Sequence, residues 1–174
     1  MSVMSKEEQD YKIRQLIVVM NLLSNDAMPI EEWHRFVDAF EAQYADNIGI
    51  PPRMEHTLLD GMYTRRIYMD EGCYFTSGIH KTEHPFVILS GKILVRTHTG
   101  SIMYQAPYRG ITKPGTRRIL LALEDTVWET FHATQLKSVT EIVDSLSEDR
   151  INPLLTDVQI ARLKSSQQET NLLN

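Results

Sequence analysis

The spacing of apolar residues divides the chain into zones. From Ser5 to Asn47, apolar residues recur every three or four positions, which is the period of amphipathic helices. The first predicted helix has a capping-box pair at Ser5 and Glu8, and the second begins near Pro29, a residue suited to a first helical turn. Each helix has one apolar stripe, so this zone predicts a helical hairpin that packs against another part of the protein.

In the middle zone, from Met62 to Thr134, the period changes to that of strands. Short runs rich in β-branched and aromatic residues are separated by turn-forming stretches such as APYRG. Glu124 and Asp125 interrupt the last two runs as a hairpin turn would. Strands of this length and spacing predict an antiparallel sandwich or barrel. The runs are YTRRIYM, CYFTSGIH, FVILSG, KILVRTH, SIMYQA, RRILLAL and TVWETFH.

These patterns predict four segments. Residues 1–50 are a helical arm, and residues 51–61, which begin with two prolines, are a linker. Residues 62–135 are the β-barrel, and residues 136–174 are a C-terminal helical segment. Within that last segment, SVTEIVDSL predicts a short helix. A further helix follows from Thr156, and its tail either packs on the protein or faces solvent.

Composition excludes several functional classes. The formal net charge is −5 and no run of Lys and Arg stands out, so the sequence lacks the basic footprint of a nucleic-acid-binding protein. The single cysteine, Cys73, excludes an internal disulfide and a thiolate metal cluster. No apolar stretch is long enough to span a bilayer, and the N-terminus lacks the apolar core of a signal peptide. We therefore expect a cytoplasmic protein with neither a nucleic acid nor a membrane as partner.

Strand parity predicts that three histidines face one interior. His80 and His84 share parity with the apolar residues that follow them, and His132 shares parity with Trp128. A bulge at Pro85 would turn one of the imidazoles outward. Without such a bulge, the three rings converge inside the barrel.

The strand after Pro85 is apolar on both faces. Val87 and Leu89 fall on the face opposite to the histidines, and a strand of this kind is covered on both sides. The cover is either the N-terminal helices or a second subunit. Together with the helical arms, this pattern predicts a homo-oligomer, a dimer or larger.

The stretches GIHKTEHPFVILSGKILV and KPGTRRILLALEDTVWETFHAT resemble the paired motifs of the cupin superfamily. In the first motif, His84 stands where the family has a glutamate ligand, His80 stands at its second histidine, and Gly78 replaces its first. The same stretches are similar to uncharacterised small cupin-like proteins of bacteria and phages. The resemblance implies a mainly β fold, a cupin-type antiparallel jelly-roll barrel, to which an N-terminal helical hairpin and C-terminal helices are added.

The second motif matches loosely. Pro114 and Gly115 fit its turn, and Arg117 or Arg118 stands near its histidine, so His132 would supply the missing imidazole. Three imidazoles would suit Fe, Mn, Ni, Cu or Zn and leave coordination positions open for a substrate. A pocket that binds a ligand without metal and a vestigial pocket are the alternatives.

Other polar residues are candidates for substrate binding. Arg117 and Arg118 have opposite parity, so one faces inward and would hold a carboxylate or phosphate, unless it pairs with an acid across the hairpin. Tyr104 would line the pocket, as would Tyr74, and Glu83 would hold one imidazole in a single tautomer. We expect the remaining histidines at the surface: His34, His56 and His98.

Two functional hypotheses follow. The first is a metal-dependent enzyme that acts on a small anionic metabolite, with His80, His84 and His132 as ligands. The second is a non-catalytic ligand-binding or assembly protein that uses the barrel as a scaffold. The sequence indicates neither a catalytic residue nor a reaction.

Overall fold

The computed structural model describes residues 5–7, 24–44 and 53–148. Residues 6 and 7 are helical, and the complete helices of these ranges are α1 (Ile30–Tyr44) and α2 (Val139–Leu146). Their strands are β1 (Arg53–Leu59), β2 (Met62–Met69), β3 (Tyr74–Thr76), β4 (Ile79–His80), β5 (His84–Ser90), β6 (Lys92–Thr97), β7 (Gly100–Gln105), β8 (Tyr108–Thr112), β9 (Ile119–Ala122), β10 (Thr126–Ala133) and β11 (Ser147–Glu148).

The strands form a jelly roll of two antiparallel sheets. The larger sheet has the order β1-β2-β10-β5-β8, and the smaller has the order β3-β9-β6-β7. The short strands β4 and β11 pair with each other beside these sheets. Because the chain passes repeatedly from one sheet to the other, residues distant in sequence face each other across a common interior.

Alternation along β10 places its polar residues in that interior. Thr126, Trp128, Thr130 and His132 are buried, while the residues between them are partly exposed. The same period in β5 buries His84 together with the apolar residues two and four positions later. The predicted parity therefore holds in both strands, and Pro85 introduces no bulge in the register of β5 with β8.

The predicted hairpin at Glu124 and Asp125 is wrong. β9 pairs with β3 and β6, and β10 pairs with β2 and β5, so this turn carries the chain from one sheet to the other. β9 is buried on both faces, and such a strand needs neighbours and cover that a hairpin alone does not provide. Gly91, at φ 82°, allows the backbone of Asp125 to approach the backbone between β5 and β6 closely. A Cβ at this position would lie 2.2 Å from the carbonyl oxygen of Asp125.

Two more segments differ from the sequence-based expectation. The stretch APYRG, predicted as a turn, leads into strand β8, and the predicted linker contains strand β1, paired along its length with β2. β1 lacks a run of large apolar residues because it is an edge strand with one exposed face. The predicted helix between Ser5 and Asn25 and the one from Thr156 lie mostly or wholly outside the described residues, whereas α2 matches the predicted short helix.

Helix α1 covers the outer face of the smaller sheet. Its buried residues and those of the sheet form one apolar cluster: Trp33, Val37, Phe40, Tyr74, Leu94, Ile119 and Leu121. Tyr74 therefore lies in this outer layer and not beside the pocket. On the larger sheet Leu89 is 48% exposed, so α1 does not cover that face and the homo-oligomer stays a prediction.

Arg117 fixes α1 to the end of the smaller sheet. Its guanidinium, 2% exposed, lies 2.7 Å from Asp38 and 3.0 Å from Glu41, both on α1. Trp33 Nε1 returns a hydrogen bond to the carbonyl oxygen of Arg117 at 2.8 Å. Neither helix of the described ranges has the length and apolar character that a membrane crossing requires.

We expect the substitution Arg117→Met to lower the free energy of unfolding by about 3 kcal/mol, because two carboxylates would remain in a mostly buried position without their cation. Urea denaturation measures this change. The matched control Arg109→Met removes an exposed arginine and is expected to stay within about 0.5 kcal/mol of wild type. Equal effects of the two substitutions would show that the ion pairs do not hold the helix.

Candidate functional site

The interior between the sheets has an apolar and a polar part. The apolar part is one cluster that includes Ile67, Met69, Phe86, Ile88, Ile93, Val95, Leu120 and Trp128. The polar part contains buried side chains from β4, β5, β8 and β10 and from the residue before β9: His80, His84, Thr112, Arg118, Thr130 and His132. This grouping is the candidate site.

The three predicted histidines lie together. The ring centroids of His80 and His84 are 5.0 Å apart, and those of His84 and His132 are 4.2 Å apart. All three side chains are buried, with exposed fractions of 6%, 2% and 3% in chain order. Strand alternation brings His84 and His132 into the interior, and the pairing of β4 with β11 positions His80 beside them.

Two of the rings have defined tautomers with a free lone pair. His84 Nδ1 donates a hydrogen bond to the carbonyl oxygen of Thr82 at 3.1 Å, which leaves Nε2 as an acceptor. The hydroxyl of Thr130 donates its proton to the carbonyl oxygen of Arg65 at 3.5 Å. Its oxygen therefore accepts a hydrogen bond from Nε2 of His132 at 2.9 Å, which makes Nδ1 the acceptor of that ring. Neither acceptor nitrogen has a hydrogen-bond partner among the described residues.

The third ring is bound by Arg118. The guanidinium donates from Nη1 to His80 Nε2 at 3.0 Å and from Nη2 to Thr112 Oγ1 at 2.8 Å. A guanidinium only donates, so Nε2 of His80 must be the acceptor and the ring proton lies on Nδ1. The lone pair of His80 that points into the site is therefore already used.

Arg118 is a buried cation without a carboxylate partner among the described residues. Its side chain is 8% exposed, and its cationic carbon lies 5.6 Å from the ring centre of Phe86 and 5.7 Å from that of Trp128. Burial lowers the pKa of Arg118 to about 10, so it stays charged at neutral pH. A desolvated charge of this kind favours a bound anion.

Burial keeps the three imidazoles neutral. It lowers the pKa of His80 to about 2, that of His84 to about 4 and that of His132 to about 3. The positive charges of Arg118 and Arg65 act in the same direction on His80 and His84. The site thus combines a fixed positive charge with imidazoles that are hydrogen-bond donors and acceptors but not cations at neutral pH.

A cavity of about 210 Å³ lies next to this polar group. Arg118 and Tyr104, two residues predicted to contact substrate, are part of its lining, and the three clustered histidines are not. Its other lining residues include Phe86, Val95, Thr97, His98, Ile102, Ile111, Lys113 and Thr116. Arg118 therefore joins the cavity to the histidine cluster.

The remaining predicted residues lie elsewhere. Arg117 faces α1, and Glu83 forms an ion pair with Lys113 in which both side chains are largely exposed, so it is not bound to an imidazole. His34, expected at the surface, is 5% exposed and bonds Gly115 O at 3.0 Å.

Sequence reasoning missed several residues of the site and its cavity. His56 and His98, also expected at the surface, are half-buried, and His98 lines the cavity. Thr112 is not predicted because the turn-forming stretch APYRG covers the start of β8, although Tyr108, Gly110 and Thr112 share one parity. The parity of Tyr63, Arg65 and Ile67 would similarly have indicated an inward arginine on β2.

Helix α2 closes the polar end of the barrel. Ile142 and Leu146 pack on Tyr63, whose hydroxyl lies 2.5 Å from Nδ1 of His56. The ring of Tyr63 is 5.8 Å from that of His132. The helix thus packs on the tyrosine whose ring neighbours His132.

The described arrangement does not fit a metal site made of three imidazoles. Within residues 5–7, 24–44 and 53–148, no group of three or more His, Cys, Asp and Glu side chains is arranged to hold a metal ion. The acceptor nitrogen of His80 is bound by Arg118, whose charge would repel a metal cation. Metal binding at His80, His84 and His132 stays a prediction, and no step of a reaction is derived through it.

We expect the free energy of unfolding to fall as the pH is lowered from 7.5 to 5. The histidines have their ordinary pKa of about 6.5 when unfolded and lower values when folded, so below pH 6.5 the unfolded chain binds more protons. Each histidine contributes a slope that approaches about 1.4 kcal/mol per pH unit. Urea denaturation at several pH values measures it. His84→Gln should give a shallower slope, and a flat wild-type profile would contradict the assignment.

Comparisons with known proteins concern the fold. No family model matches the chain, and no curated protein matches its sequence. A cupin-2 domain containing protein from Shewanella frigidimarina is 11% identical, with a TM-score of 0.41, over 55% of this chain and 92% of that one. A protein with a double-stranded beta-helix domain from Klebsiella pneumoniae is 15% identical, with a TM-score of 0.44, over 57% and 86%. The Cnp3 cupin domain of Schizosaccharomyces pombe is 15% identical, with a TM-score of 0.41, over 55% and 68%.

The order of the strands identifies the fold. One sheet contains β2-β10-β5-β8 and the other β3-β9-β6-β7, which is the arrangement of a double-sheet jelly roll with its interior between the sheets. The motif-bearing segments lie in this framework, with His84 at the start of β5 and Arg118 directly before β9. By the order and pairing of its strands, the chain is a double-sheet jelly roll, a fold that cupins share, and the predicted fold class is confirmed.

Proposed function

We propose that this cupin-like protein binds a small organic anion in the cavity beside Arg118. The observation that carries the proposal is a buried guanidinium whose described hydrogen-bond partners, His80 and Thr112, are both neutral. Removing a cation from water is costly, and two neutral acceptors offset only part of that cost. A carboxylate or phosphate in the cavity would offset the rest.

The geometry of Arg118 suits such a ligand. The described hydrogen bonds use two of the five N–H donors of the guanidinium, so others remain for an anion. His80 and Thr112 hold the guanidinium from the side, and the rings of Phe86 and Trp128 lie within 6 Å of it. An arginine held in this way is preorganised for a bidentate contact.

The walls of the cavity favour a ligand with an apolar body. Phe86, Val95, Ile102 and Tyr104 supply aromatic and aliphatic surface beside the charged residue. The lining also includes polar side chains, Thr97, Thr116 and Lys113 among them, and a small-molecule site combines apolar surface with polar groups that orient the ligand. We therefore propose a small aromatic or branched aliphatic carboxylate as the class of ligand.

This proposal is compatible with either hypothesis drawn from the sequence. An enzyme that acts on a small anionic metabolite and a non-catalytic binding protein both need a site that selects the anion. A reaction would require a group that makes or accepts a bond to the ligand, and Arg118 only donates hydrogen bonds. Binding of the anion is therefore the step that can be tested first.

Titration with benzoate, monitored by calorimetry and by the melting temperature, tests the proposal. We expect benzoate to bind and to raise the melting temperature as its concentration exceeds the dissociation constant. Benzyl alcohol, which has a similar ring but no charge, should not bind measurably. Acetate and inorganic phosphate separate the contributions of the ring and of the charge.

Variants of two arginines give the matched control. Arg118→Met should abolish binding of benzoate while the fold is kept, because a buried ion replaced by an apolar side chain of similar length is tolerated. Arg118→Lys keeps the positive charge but loses the planar guanidinium that can donate two parallel hydrogen bonds, so it should bind benzoate more weakly than wild type. Arg109→Met, at an exposed arginine, should bind as wild type does. Binding that is equal in Arg118→Met and wild type would overturn the proposal.

A further inference from the structure

We infer that the guanidinium of Arg118 takes the place of a metal ion beside His80, His84 and His132, so that wild-type protein rejects divalent transition metals and loss of Arg118 creates a metal site. This inference concerns the residue used in the proposed function, but it does not depend on whether the cavity binds an anion. It rests on how the lone pairs and charges around the three imidazoles are arranged.

The first step concerns the lone pairs. A metal ion binds an imidazole through a nitrogen that carries no proton and accepts no other hydrogen bond. Arg118 Nη1 donates a hydrogen bond to the lone pair of His80 Nε2 at 3.0 Å. His80 therefore cannot be a ligand through Nε2 unless the arginine leaves.

The second step concerns the other two rings. His84 Nε2 and His132 Nδ1 are buried acceptors without a hydrogen-bond partner in the described part of the chain. Thr82 and Thr130 hold the opposite nitrogens, which fixes the tautomers as outer partners do in metal sites. Two of the three imidazoles thus already have a ring nitrogen whose lone pair is free to bind a metal ion.

The third step concerns charge. Arg118 and the histidines are buried together, and the described residues offer no carboxylate within ion-pair distance of the guanidinium. A dication placed among the three rings would lie beside an uncompensated positive charge in a region of low dielectric, where the repulsion is strong. The same cation that blocks His80 therefore also disfavours binding at the other two imidazoles.

The fourth step concerns what remains without the arginine. Removal of the guanidinium frees His80 Nε2. The ring centroid of His84 already lies 5.0 Å from that of His80 and 4.2 Å from that of His132. Small rotations of the rings would then bring three nitrogens towards one point. Arg65 is then the cation that still acts on the three rings. Three neutral imidazoles, none of them bound by a guanidinium, are a suitable ligand set for Zn²⁺ or Co²⁺.

The experiment compares metal binding by wild type and Arg118→Met, both purified without a metal-affinity tag and treated with a chelator. Equilibrium dialysis against Zn²⁺ gives the stoichiometry, and the visible absorption of Co²⁺ reports coordination by the protein. We expect Arg118→Met to bind about one Zn²⁺ per chain, as a three-histidine site would. The metal should raise its melting temperature, whereas wild type should bind Zn²⁺ more weakly by at least about tenfold.

Two further variants locate the effect. Arg118→Met combined with His84→Gln should lose the acquired Zn²⁺ and the Co²⁺ spectrum, and Arg109→Met should behave as wild type does. Stoichiometric Zn²⁺ in wild type that His84→Gln removes would overturn the inference, even if Arg118→Met failed to fold. So would a folded Arg118→Met, verified by circular dichroism, that binds no metal. Neither outcome depends on benzoate, so failure of the anion proposal is distinguishable from failure of this one.

Discussion

The polar end of the barrel depends on one buried positive charge. Arg118 lies between two sheets, and its described hydrogen bonds go to an imidazole and a hydroxyl. Because a buried guanidinium cannot lose its proton at neutral pH, its neighbours must accept from it or be neutral themselves. The tautomer of His80 and the lowered pKa values of the histidines are consistent with that constraint. Both proposals made for the site follow from it.

Two adjacent arginines, Arg117 and Arg118, show how the extended segment before β9 separates functions. Arg117 points outward, where Asp38 and Glu41 of α1 neutralise it, and it therefore acts in the attachment of the helix. Arg118 points inward, towards neutral partners and a cavity. The residue type is the same in both positions, and the difference arises because consecutive side chains of an extended chain point to opposite faces.

The structure differs from the expectation drawn from the sequence where pairing is not local. Glu124 and Asp125 have the chemistry of a hairpin turn, yet β9 and β10 belong to different sheets because β9 buries both of its faces. The sequence predicts a turn at the start of β8, because these residues include a glycine and follow a proline. The contribution of β8 to the interior comes from its pairing with β5. His98 was expected in solvent and lines the cavity, because a turn can lie over a space that distant strands enclose.

The sequence by itself determined most of the strands, the parity of β5 and β10, the amphipathic helix α1 and the inward direction of His84 and His132. These features follow from the period of apolar residues along a short stretch. The tertiary structure alone decided which strands are neighbours, which arginine faces α1 and which lies between the sheets, and that Arg118 holds His80. These contacts join residues far apart in the chain, such as the 38 positions between His80 and Arg118. Local periodicity contains no information about such distances, and only the closure of the two sheets fixes them.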